Sequence, residues 1–434
     1  VSTSVITFGA SSYTAGNQHV GGFAGYNGTA AANYSNNYYL GTVGANGYFA
    51  TEVARRVSSG SGVVINDDAQ IRKIGNNVPQ AAVTLTELNK EVQLDSFANT
   101  AGTGVASVEY VSSNPAIVQV ASSDINGAKI KAVGAGDATI TVIYKNASGA
   151  EITRGTTQVL GIIPIATAAD FNSKLVAANM SRSFIQTASF DLPNAAYTPK
   201  GDATTPFSGI YDGGGFTIDA KNVPATSWQT VTVDVYGMYI SSGLFGKIGG
   251  GSVKNMTINN VTASVTGSTG YVYAGAVAAF ADRGAFERIT VNNVNLAATN
   301  PSGYINMGGA FGGVYSSNFD NCVVNGSITG NATNISNGGG SMGGFVGSSD
   351  RCNVKNSVAN VDVTDNSAGY IYTGGFVGRS YRGKYVGNRC SGKINITQTA
   401  AASINNELSV GGFEGRNSRG SMRNNISSSV ITFG

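Results

Sequence analysis

The residues best spaced for chemistry in this 434-residue chain are Glu287 and Asp320, one repeat apart, with Lys254 before them and Lys355 after. In stacked strands they would lie about 5 Å from each other, as a paired acid and base acting on a glycosidic bond must be close. The column continues as Val386 and Arg423, and each member follows an apolar residue that alternation turns inward. The column itself therefore points outward, and an exposed charge ladder is preferred over a walled site. Asp282-Arg283 and Asp350-Arg351 share another register, broken by Tyr315-Ser316 in the coil between, and fall in a polar turn. The acids Asp362, Asp365, Glu407 and Glu414 are scattered. His19 is the single histidine and has no second His or Cys to complete a metal site or a triad. Asp212-Gly213-Gly214-Gly215 with Asp219 has the composition of a calcium loop, but without the repeated nonapeptide a tight hairpin turn is the plainer reading. No catalytic, cofactor-binding or metal residue is assigned, and an enzyme is not predicted.

Tyrosine offers a different chemistry. Tyr271 and Tyr273 precede one repeat in the same register in which Tyr370 and Tyr372 precede another, so all four belong on one face. Such a strip can bury ring area while its hydroxyls stay satisfied, as a contact surface for glycans or a partner subunit does. Packing at strand ends is the alternative. Asn-x-Ser/Thr sequons at Asn27, Asn255, Asn331 and Asn395 leave glycosylation open.

The element that positions these residues is a repeat. Gly343-Gly344-Phe345-Val346-Gly347 returns as Gly374-Gly375-Phe376-Val377-Gly378 and Gly411-Gly412-Phe413-Glu414-Gly415, with looser copies beginning at Ser242, Gly275 and Gly308. The six anchors are separated by 33, 33, 35, 31 and 37 residues. A period of that size means stacked units that bury their apolar faces against their neighbours. Each unit reads as a glycine-flanked apolar strand, a polar turn, one inward apolar residue and a second strand rich in Val, Ile and Thr. The inward residues Val253, Phe286, Phe319, Val354, Tyr385 and Met422 should form a ladder inside an all-β fold, a β-helix or β-solenoid of ~33-residue repeats.

These repeats resemble the GLUG-type repeat of bacterial surface and secreted proteins. Ala169-Asp170-Phe171, Phe184 to Leu192 and Pro206 to Ile218 are similar to the lead-in before such repeats, so the likeness covers residues 165–434. It implies an extracellular β-helical module and no particular activity. Residues Val108 to Val120 and Lys129 to Val142 are short strands around an Asn114-Pro115 turn and a Gly-rich turn. They predict a β-sandwich and are similar to bacterial immunoglobulin-like domains of the group 2 type, found in adhesins. The predicted order is solenoid coils at 1–60, a linker at 61–82, the sandwich at 83–163, a lead-in or cap at 164–241 and the main solenoid at 242–434. Tyr48 to Val57 is the one stretch near the N-terminus that could pass for a short helix.

The ends echo each other. Val1-Ser2-Thr3-Ser4-Val5-Ile6-Thr7-Phe8-Gly9 reappears as Ile426-Ser427-Ser428-Ser429-Val430-Ile431-Thr432-Phe433-Gly434, seven of nine positions identical, at an offset of 425. Carried through that offset, the anchor Gly21-Gly22-Phe23-Ala24-Gly25 begins 35 residues beyond Gly411, which is the repeat period. The chain thus reads as one period of a longer tandem array, or as a subunit that stacks head to tail. Val1, Val5, Ile6, Phe8, Phe23, Phe413, Ile426, Val430, Ile431 and Phe433 are the expected assembly interface.

Composition agrees with that reading and excludes others. Charged residues are 12% and the net charge is 27 − 24, or +3, which is no footprint for nucleic acid. No run of 18 apolar residues appears, so no helical membrane span is expected. Sixty glycines with abundant Asn, Ser and Thr fit an exported, turn-rich β-protein, and a start at Val1 fits removal of a signal peptide. Cys322 falls at the register of Ser357 and Cys390 at that of Ala359, with Cys352 seven residues earlier, so no disulfide is expected. The expected function is a secreted or cell-surface structural protein forming a fibre or layer with itself. The alternatives are an adhesin stalk that meets glycans or a cell surface, and a carbohydrate-active β-helix enzyme built around Glu287 and Asp320.

Overall fold

The computed structural model describes residues 82–95, 105–125, 127–233, 239–267, 270–333, 339–397 and 407–434, with seven short strands before residue 82. It divides into two compact units, Val1–Ile162 and Ile163–Gly434.

In the first unit, Ile6–Thr7 pairs in parallel with Val43–Gly44, and Asn37–Tyr39 with Ile71–Lys73. The partners stand 37 and 34 residues apart, one solenoid period in each case. His19–Val20, Arg55–Ser58 and Ser61–Val64 instead pair antiparallel, and Arg55–Ser58 is a strand where a helix would have ended. Residues 83–160 form a four-stranded sheet (Ser107–Ser112, Ala138–Lys145, Glu151–Leu160, Val83–Thr84) and a three-stranded one (Val118–Asp124, Gly127–Ala132, Glu91–Asp95). Period-two alternation sorts their residues by face: Ala138, Ile140, Val142 and Tyr144 are buried along one strand while their neighbours are half-exposed. Asn114 makes the turn predicted for it, its Oδ1 accepting the Ala116 N–H at 3.1 Å.

The second unit is a parallel β-solenoid. Six strands before the anchors stack as one sheet, from Tyr239–Ser242 to Leu408–Gly411, and six after them as a second, from Phe245–Gly249 to Glu414–Ser418. A long third sheet runs from Ile163–Ile165 to Val430–Phe433. The predicted ladder pairs rung for rung, Val253 to Phe286, Phe319, Val354, Tyr385 and Met422. It extends backward through Tyr211 and Phe184 into the lead-in. All are buried except Met422 in the last coil, which is 43% exposed. Phe345 lies flat on Phe376 and Phe376 on Phe413, each pair 4.9 Å between centroids, in a column of stacked rings. Such a pair is worth about 0.5–1.5 kcal/mol beyond its area.

The glycines of the anchor are dictated by backbone contact. A Cβ on Gly344 would stand 2.3 Å from the Gly375 carbonyl oxygen of the next coil, and one on Gly347 would stand 2.4 Å from the Met307 nitrogen. Two corners use the left-handed conformation instead, one at Asn255, Arg288, Asn321, Asn356, Gly387 and Asn424, the other at Gly250, Arg283, Ser316, Arg351, Arg382 and Arg419. Asparagine recurs at the first because it tolerates that region better than most side chains.

One end of the solenoid is closed. Helix α1 (Ala168–Lys174) is capped by Thr167, whose Oγ1 accepts the Asp170 N–H at 3.1 Å. Its Phe171 is fully buried, with ring contacts to Phe190, Tyr211 and Phe245.

Candidate functional site

The charge column is aligned as read from the sequence: Lys254 pairs with Glu287, Glu287 with Asp320, Asp320 with Lys355, then Val386 and Arg423. Asp212 joins it from the lead-in, 3.7 Å from Lys254. Glu287 is held by its neighbour Arg288, and Asp320 by Lys355 at 3.0 Å. Burial alone would raise the Asp320 carboxyl, but hydrogen bonds from Lys355 and Asn356 outweigh it and hold the group below its ordinary range. An acid kept ionised on an open face by its own neighbours is poorly placed to deliver a proton. Among the described residues no three His, Cys, Asp or Glu side chains gather as metal ligands would, and no helix is long and apolar enough to cross a membrane. Asp212 Oδ1 accepts the Gly214 N–H at 3.0 Å, which makes the glycine run a turn. Cys322, Cys352 and Cys390 are free and buried, and burial pushes the thiols of Cys322 and Cys352 up to about 12.

The tyrosines do share a face. Tyr271, Tyr304, Gly339 and Tyr370 form one outward column, Tyr273, Asn306, Ser341 and Tyr372 the next. Tyr271 stacks on Tyr304 with centroids 5.1 Å apart. Tyr273 packs edge-on to Phe280, and Tyr372 lies under Arg416 and bonds Glu407. Tyr372 is only 8% exposed, so much of the strip is spent on packing, while Tyr271 keeps 36%. Tyr304 was missed in the sequence because its coil lacks the second tyrosine of the Tyr-x-Tyr pattern.

The arrangement with the clearest unmet chemistry is the last coil. Ile431 and Phe433 are 38 and 61% exposed, although they continue the columns of Ile394 and Ile396, which are buried one rung earlier, while Ile426 and Val430, 57 and 62% exposed, stack on the outward Arg389 and Lys393. Lys393–Ile396 carries Val430–Phe433 in register, Ile394 beneath Ile431 and Ile396 beneath Phe433. Leu408 lies over Ile371 and Met422 over Tyr385, and both are uncovered on their outer side. Phe413 is half-buried, its ring planes 3° from those of Phe376. Of the other interface residues expected from the sequence, Ile6 is in a described strand, whereas Val1, Val5, Phe8 and Phe23 lie outside the described residues.

Glu414 belongs to the same coil and was read from sequence only as a scattered acid. It takes the column of Phe311, Val346 and Val377 and faces the core. Burial pushes its carboxyl up to about 7, against the pull of hydrogen bonds such as that from Asn417 Nδ2 at 3.0 Å. Aligning the fourth anchor position, where Phe or Val precedes Glu, would have found it.

No family model and no curated protein matches this chain. Among solved structures, a candidate immunoglobulin A1 protease from Bacteroides ovatus is similar at 16% identity and a TM-score of 0.42, across 63% of this chain and 76% of that one.

Proposed function

We propose that this chain is an extracellular structural module of a surface fibre or layer, joined head to tail with further copies of itself. The observation that carries the reading is the difference between the solenoid's two ends. Helix α1 and Phe171 cover the core at one end, while in the last coil Ile431 and Phe433 are exposed and, among the described residues, no strand pairs with the far side of Val430–Phe433. Such an edge is a template for another strand, and the sequence of that rung recurs at residues 1–9. A contact made of one surface against a different one does not close on itself, so it propagates as a filament. The sheets of residues 83–160 then serve as an immunoglobulin-like spacer in each repeat. The resemblance to GLUG-type repeats and the low charge support a position outside the cell.

The test is light scattering and electron microscopy of the purified chain over a range of concentration. Linear assemblies are expected, changing little as NaCl rises from about 0.05 to about 0.5 M, because screening acts on pairs of charges and residues 1–44, the incoming side, carry no Asp, Glu, Lys or Arg. Replacing Leu408 and Met422 together by lysine should return the protein to monomer. A monomer at every concentration, or assemblies indifferent to that double substitution, would sink the proposal. Turnover of a polysaccharide or peptide panel would redirect it to catalysis.

A further inference from the structure

The described part of the repeated nonapeptide, Ile6–Thr7 at one end and Ile431–Thr432 at the other, lies in a parallel strand pair in both places. Ile431–Thr432 sits on Ile394–Asn395 in a parallel pair 37 residues apart. Ile6–Thr7, the equivalent residues at the offset of 425, sits beneath Val43–Gly44 in a parallel pair also 37 residues apart. The first strand is a rung with its lower neighbour present, and the second is the same rung with its upper neighbour present. Put together, they give one continuous column: Ile394, then Ile431 or Ile6, then Val43.

We propose that two copies of this chain join through one shared rung, which Val430–Phe433 of one copy or Ile6–Thr7 of the next fills interchangeably beneath Val43–Gly44. The inference rests on the head-to-tail reading and adds the partner strand, its register and the exchange. No new kind of contact is needed. Val43–Gly44 of the incoming copy releases its own Ile6–Thr7 and takes up Ile431–Thr432, backbone hydrogen bond for backbone hydrogen bond, which is why swapping of like elements costs little. The net gain is the cover laid over the inward Ile431 and Phe433. Register is fixed because a slip of one residue would turn Ile431 and Phe433 from one face to the other. The anchor Gly21–Gly25, in contrast, is not duplicated at the other end and has no substitute.

Four proteins test this: the full chain and forms lacking residues 1–9, residues 426–434, or both, each checked for native β-structure by circular dichroism. Either single deletion should still assemble. Loss of 1–9 should lower the concentration needed by about tenfold or more, since the receiving strand no longer has to be vacated before it binds. Loss of both should abolish assembly. Because a deletion can disturb folding, Ile431→Lys provides the second measurement, on a side chain already exposed. It should be tolerated in the full chain, where residues 1–9 fill the rung, and should block assembly of the form lacking 1–9. The exchange is overturned if each nonapeptide proves indispensable alone, if Ile431→Lys disables the full chain, or if assembly survives loss of both. A full chain that never assembles would instead overturn the head-to-tail reading beneath it.

Discussion

At the residue scale, the solenoid is held to its shape by positions where only one kind of side chain fits. Gly344 faces the Gly375 carbonyl of the next coil, and backbone cannot move aside as a flexible side chain can. Gly344→Ala should therefore cost about 1–3 kcal/mol of stability or more, read as a lower denaturant midpoint with unchanged slope; a wild-type midpoint would mean that the coils are looser than they appear. The left-handed corners predict a gain instead. Arg283 has φ +52° and pairs only locally, with Asp282 at 2.9 Å. Arg283→Gly should stabilise by up to about 1 kcal/mol, since glycine carries no penalty there. A third residue carries a pH dependence. The Glu414 carboxyl rises from its ordinary 4.5 to about 7 on folding. The unfolded chain then releases its proton first, so the last coil is most stable below about 4.5, weakens as pH climbs toward about 7, and changes no further from this source above that. Tyr385, Ser380 and Asn417 are the groups around it. Glu414→Gln should flatten the pH profile of the melting temperature between those limits, and a profile that keeps its slope would assign the titration elsewhere.

At the scale of elements, stability comes from ladders that run along the stack. Phe345 is fully buried between the rings of Phe311 and Phe376 and across from Phe319. Phe345→Ala should cost about 3–5 kcal/mol, measured by chemical unfolding. A loss under one would show that neighbouring coils close the gap. The inward ladder was legible in the sequence because period-two alternation and a fixed repeat together fix which residues stack, and the same logic placed the charge column. The outward amides were not. Asn292 donates to Asn259, Asn325 to Asn292 and Asn360 to Asn325 at 2.9–3.1 Å, yet in the sequence they read as turn punctuation. Their alignment follows the same register as the inward ladder, Asn259 with Asn292 and Asn325 with Asn360, but composition alone does not separate a stacked amide from a turn residue. Helix α1 was passed over despite a signal in plain view, since Thr167 followed three residues later by Asp170 is a capping pattern. The tyrosine face was read correctly as a shared register, but how far Phe280 and Arg416 cover it depends on contacts between sheets that a linear reading does not reach.

At the scale of the whole solenoid, stability is a sum over coils and the interfaces between them, so each coil's protection depends on having neighbours on both sides. The coils from 270 to 397 have two, and the first is sealed by Phe171. The coil of residues 407–434 has one described neighbour, inward Ile431 and Phe433 left exposed, and an inward carboxyl at Glu414. In dilute solution it should open locally at far lower free energy than the rest, because local opening is governed by the apolar cover that is lost. Hydrogen exchange of the monomer should show residues 408–433 exchanging well before residues 339–396, with Ser183–Gln186 at the capped end among the slow ones. On assembly the fast set should become protected while the slow set does not change, which a merely aggregating surface would not produce. Residues 408–433 as slow in the dilute monomer as 339–396 would mean that the last coil is already covered, and the polarity on which the proposed fibre rests would be absent.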